Sequence, residues 1–117
     1  MSANIADFLH DSAQRHPDAT CVIAGDSRYT WAEVDRDASN VAAGLLARGL
    51  HSGDRIAMLL GNTYEFVVLY FAAARAGLVS VPLNPAYTSA EVAVLLADSG
   101  ARMLVVQPST LAVGEES

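Results

Sequence analysis

Residues 62–85 read NTYEFVVLYFAAARAGLVSVPLNP, and this stretch decides the fold. Asn62 opens it as a helix cap, with Glu65 placed three residues on to complete a capping box. Phe66 to Ala74 is apolar without a break. A helix that is apolar all round has to be covered on all sides, so it belongs deep in a core. It is too short to cross a bilayer, which takes about 20 residues. Arg75 and Gly77 close the helix, and Leu78 to Leu83 has the composition of a strand. Pro82 and Pro85 bias Val81 and Asn84 towards extended backbone. Pro82 has no N–H to donate, so the strand is expected at a sheet edge there, or at its end.

Outward from this stretch, the same punctuation recurs. Thr30-Trp31-Ala32-Glu33 and Thr88-Ser89-Ala90-Glu91 are capping boxes, in which the Thr hydroxyl accepts from the amide three residues on and the Glu reaches back. Each helix then meets a glycine followed by an apolar residue: Gly49-Leu50, Gly77-Leu78 and Gly100-Ala101. After each stop comes a strand candidate: Arg55 to Leu60, Val79 to Leu83 and Arg102 to Val106. Ile56 to Leu60 is continuously apolar, as a strand buried on both faces should be. The helix from Trp31 to Arg48 carries a stripe of Trp31, Val34, Ala38, Val41 and Leu45, and the helix from Ser89 to Ser99 carries Val92, Leu95 and Leu96. At the N-terminus, residues about 4 to 15 form a short amphipathic helix with Ile5, Phe8, Leu9 and Ala13 on one face. Thr20–Ala24 and Arg28–Thr30 pair as a hairpin around Gly25-Asp26. Strands alternating with helices make this an α/β chain: a partial three-layer arrangement around a largely parallel sheet, with capped crossover helices and a small N-terminal hairpin. Residues 107–117, QPSTLAVGEES, are expected to be a loop or frayed tail. A doubly covered sheet should continue beyond Val106, so the domain is expected to be incomplete.

Composition excludes more than it assigns. Hydrophobic residues make up 52% and charged residues 17%, too apolar for a disordered chain. The net charge is −6 with no basic run, which argues against nucleic acid or an anionic membrane as a partner. All seven basic residues are Arg; there is no Lys. Cys21 is the single cysteine, and MSANIADFLHDSAQ lacks the positive charge and apolar run of a signal peptide, so a cytoplasmic location is expected. His10, His16, His51 and Cys21 lack the spacing of a metal set. Cys21 reads as a structural thiol. Ser27, Ser52, Ser80 and Ser89 lack the G-x-S-x-G context of a nucleophile. Glu33, Glu65 and Glu91 are explained by capping, and Asp35 and Asp37 are expected at the surface. Leu60-Gly61-Asn62-Thr63 joins a strand to a helix start, where amides could hold an anion, but one glycine and no Lys make a poor phosphate cradle. Tyr64, Tyr70 and Tyr87 are placed to pack in the core or line a pocket. No residue is assigned a catalytic, cofactor-binding or metal-binding role.

Tyr29-Thr30-Trp31-Ala32-Glu33-Val34, continuing to Ala43-Gly44-Leu45, resembles the first core motif, TYxEL, of the AMP-forming acyl-activating enzymes. That superfamily includes acyl-CoA synthetases, nonribosomal-peptide adenylation domains and beetle luciferases. Gly53-Asp54-Arg55-Ile56-Ala57 resembles its GDRVA strand entry, and Phe71 to Pro85 resembles its second core motif, LKAGAAYVPLDP. Tyr87, Glu91 and Ser99-Gly100-Ala101-Arg102 fit the YPxERLxxxLxDSGA pattern that follows. The resemblance spans about residues 5 to 106. Asn84-Pro85 in place of Asp-Pro leans towards the acyl-CoA synthetases.

The resemblance implies that residues 1–106 are the N-terminal portion of an AMP-binding large domain, with 107–117 as its tail. The implied parent is a fatty acyl-CoA synthetase that uses ATP and Mg to adenylate a carboxylate, releasing pyrophosphate, and then CoA to form a thioester. The family's phosphate loop ending in Pro-Lys-Gly, its adenine-binding segment, its ribose-holding Asp and its C-terminal Lys have no counterpart here. The chain alone is therefore expected to be catalytically inactive and to hold no cofactor. Its expected partner is the missing remainder of the synthetase or a second copy, as a homodimer, with no nucleic acid and no integral membrane segment. Two alternatives stand beside this. One is a free-standing truncated binding or regulatory module that self-associates or pairs with a full-length relative. The other is a small nucleotide-binding α/β protein that uses the Gly61-Asn62-Thr63 turn.

Overall fold

The structure, a computed structural model, describes residues 5–116. Helix α1 runs over Ile5–Arg15, so Asn4, where the sequence places its start, lies outside the described residues. The hairpin β1 (Thr20–Ala24) and β2 (Ser27–Thr30) is antiparallel, with Ala24 opposite Ser27 across the Gly25-Asp26 turn. Then come α2 (Trp31–Ala47), β3 (Arg55–Leu59), α3 (Tyr64–Arg75), β4 (Val79–Pro82), α4 (Ser89–Ser99) and β5 (Met103–Val106). A 3-10 turn at Pro108–Thr110 and a short helix α5 (Leu111–Glu116) follow.

β3, β4 and β5 form one parallel sheet in the order β4-β3-β5, with Ile56 opposite both Ser80 and Met103. Alternation along β3 sends its side chains to opposite faces. Ile56, Met58 and Leu60 join a core with α1, α2 and α3, while Ala57 and Leu59 join a second with Val92 of α4 and, at its margin, Val113 of α5. The middle strand is thus covered on both sides, which is why it is apolar throughout. The chain steps from β3 to β4 on one side, then crosses back to β5 on the other. That reversal makes a topological switch point between β3 and β5. Pro82 sits at the end of the edge strand β4, where its missing donor breaks no ladder.

Both Thr capping boxes form. Glu33 N–H donates to Thr30 Oγ1 at 3.2 Å while Thr30 N–H donates to Glu33 Oε1 at 3.0 Å. Thr88 and Glu91 repeat the arrangement, and the Thr88 backbone and hydroxyl hold the Glu91 carboxyl below its usual range. The stops behave as glycine stops: Gly77 has φ +78°, and a Cβ there would meet Ser52 Oγ at 2.9 Å.

Four expectations are corrected. The middle helix is capped by Thr63, not Asn62: the Thr63 hydroxyl accepts from Phe66 N–H at 3.2 Å, one residue on, so Glu65 falls outside the box position. Burial of that helix is one-sided. Val68, Leu69, Ala72 and Ala73 are buried, whereas Tyr70 is exposed and Phe66 and Phe71 are half-buried, their rings packed against Tyr70. Asp35 and Asp37 do not simply face water: Asp35 pairs with Arg75 and Asp37 accepts from Tyr64. Lastly, residues 107–116 are not a loop or frayed end. Thr110 is 3% exposed, and its hydroxyl donates to the Leu59 carbonyl at 2.8 Å, pinning the turn to the end of β3. Pro108 tolerates the first turn of a helix. Gly114 lets α5 lie close on β5, since a Cβ would come 2.7 Å from Val106 Cγ1. The two residue types that read as breakers permit this close packing.

Candidate functional site

A concavity lies at the switch point, outside the carboxyl ends of β3 and β5, where open α/β sheets bind ligands. It is a groove of about 870 Å3. Val41, Leu60, Val68, Leu69, Val105 and Val106 make its apolar lining, and Asp37, Asn40, Glu65 and Ser109 stand among its polar residues. α2 and α3 supply one wall. The end of β5 and the 3-10 turn supply the other.

Tyr64, the first residue of α3, organises the polar side. Its ring stacks on Tyr29 of the hairpin, with centroids 3.6 Å apart and planes 13° apart. Its hydroxyl donates to Asp37 Oδ2 at 2.6 Å, and Arg36 Nε approaches the other oxygen of that carboxylate at 3.3 Å. Burial, and then the Asp37 acceptor, push the Tyr64 phenol well above its ordinary value of 10.0. A raised folded value favours the neutral form. The contact therefore contributes fully below about pH 10 and is lost as pH climbs through the folded value. Tyr64→Phe is expected to cost about 1–2 kcal/mol at pH 8, and the gap from the parent to narrow above pH 10 in denaturant titrations. A constant gap would assign the effect to packing alone.

The turn between β3 and α3 is closed from within. Gly61 N–H donates to Gln107 Oε1 at 3.0 Å, and Thr63 N–H donates to the Gly61 carbonyl at 2.9 Å. Gln107 Nε2 in turn donates to Ser109 Oγ at 2.7 Å. The Gly61 and Thr63 amides of the turn are thus engaged. No Lys or Arg is among the described residues lining the groove, and two carboxylates are. A triphosphate does not fit this set: two carboxylates repel it, and the Gly61 and Thr63 amides are already engaged. The turn gives the nucleotide-binding alternative no support.

The other residues weighed from sequence lie elsewhere. His10, His16 and His51 are exposed, and among the described residues no group of three or more His, Cys, Asp or Glu could hold a metal ion. Cys21 is half-buried, and burial pushes its thiol up. Of the three tyrosines only Tyr64 lines the groove; Tyr87 packs against the second core and Tyr70 faces outward. Sequence reasoning placed Asp37 at the surface and Gln107 in a tail, and the groove uses both. Gln107 lies 46 residues from its Gly61 partner, and Asp37 lies 27 from Tyr64, beyond the reach of a local pattern. Among the described residues no helix is long and apolar enough to cross a membrane.

Residues 9–117 match the family described as AMP-binding enzyme. Triostin synthetase I of Streptomyces triostinicus is 42% identical over 97 residues, which cover 83% of this chain and 18% of that protein. The medium-chain fatty-acid–CoA ligase of Escherichia coli K12 is 39% identical over 102 residues, again 18% of that protein and 86% of this one. Among solved structures, a Mycobacterium tuberculosis fatty acyl CoA synthetase superposes with a TM-score of 0.90 at 32% identity, over 96% of this chain and 23% of that one. The chain thus spans about a fifth of the relatives it matches.

Proposed function

The chain belongs to the AMP-binding enzyme family, and on that premise we propose that it works as the N-terminal part of an ATP-dependent, AMP-forming fatty acyl-CoA synthetase. The parent reaction joins a carboxylate to AMP with release of pyrophosphate, then passes the acyl group to the CoA thiol. This unit contributes the platform and none of the reacting groups. The observation that carries the reading is a match along nearly the whole chain to acyl-CoA ligases about five times its length. Asn84-Pro85 in place of Asp-Pro favours an acyl-CoA synthetase over a peptide-synthetase domain. The cytoplasm is the proposed location. The remainder of the synthetase is the proposed partner, and the isolated unit pairs with a second copy.

ATP–pyrophosphate exchange tests this. The 117 residues alone are expected to give no exchange above a protein-free blank. Exchanged for the 102 matched residues of the Escherichia coli ligase, they are expected to keep fatty-acid-dependent exchange within about tenfold, a loss of about 1.4 kcal/mol. Exchange by the isolated chain, or a folded chimera with none, would overturn the proposal.

A further inference from the structure

We draw no further inference here: the strongest candidate, the surface patch that the exposed Arg55 and Arg102 make side by side at the amino ends of β3 and β5, next to the half-exposed Val79 of β4, carries nothing because nothing in the structure shows what covers it.

Discussion

Replacing Leu9 by Ala is expected to remove about 2–5 kcal/mol of unfolding free energy, read from urea titrations followed by circular dichroism. Leu9 is fully buried, from α1, in the core shared with Val34, Ile56, Met58 and Ala72. Truncation takes away its transfer free energy and leaves a cavity among residues that α2, α3 and β3 hold in place. Against a typical 5–15 kcal/mol for a domain, that loss threatens the fold. Its neighbour supplies the contrast. Phe8 is 54% exposed and meets Trp31 edge-on, with ring centroids 5.7 Å apart. Phe8→Ala forfeits little more than that ring contact, about 0.5–1.5 kcal/mol. A larger loss at Phe8 than at Leu9 would mean that α1 packs with its other face, and that the two-sided core built around β3 is wrong.

Local signals were legible, and distant partners were not. Thr30 with Glu33 and Thr88 with Glu91 close their boxes within four residues, so the helix starts could be read directly. The unbroken apolar run of β3 announced burial on both faces because nothing else allows it. Asn62 and Thr63 compete as caps one residue apart, and local chemistry does not rank them; the extended backbone of Thr63 does. The helix Phe66 to Ala74 looked apolar all round, yet Tyr70 faces outward, with the half-buried Phe66 and Phe71 rings beside it packed against the core. The turn and helix after Val106 were hidden because their anchor, the Leu59 carbonyl, is 51 residues away from Thr110. For the same reason the groove went unread: its walls come from α2, α3 and the end of β5, and only the topology β4-β3-β5 assembles them.

Arg75→Ala is expected to cost about 1–3 kcal/mol, between the value of an exposed pair and that of a buried one. The Arg75 guanidinium ties the end of α3 to α2 at three points. Nη2 donates to Asp35 Oδ1 at 2.7 Å, and Nη1 donates to the Asp35 carbonyl at 3.1 Å and to Ser39 Oγ at 2.6 Å. The two charged side chains are only 21% and 31% exposed, so removing one leaves the other poorly solvated. The positive charge also sits in the last turn of α3, where it complements the helix dipole. A double-mutant cycle with Asp35→Ala isolates the pair, and a coupling of about 1 kcal/mol is expected. The Arg36–Asp37 pair is the internal control. Arg36 is 65% exposed, and Arg36→Ala is expected to stay within about 0.5 kcal/mol. Arg75→Lys separates geometry from charge. One ammonium cannot hold the Asp35 carboxylate with one nitrogen while a second reaches the carbonyl and the Ser39 hydroxyl, so Lys is expected to recover the dipole contribution and little else. Full rescue by Lys would show that charge alone holds α3 to α2. Partial rescue would make the planar fork the element that sets their register, and with it the wall of the groove.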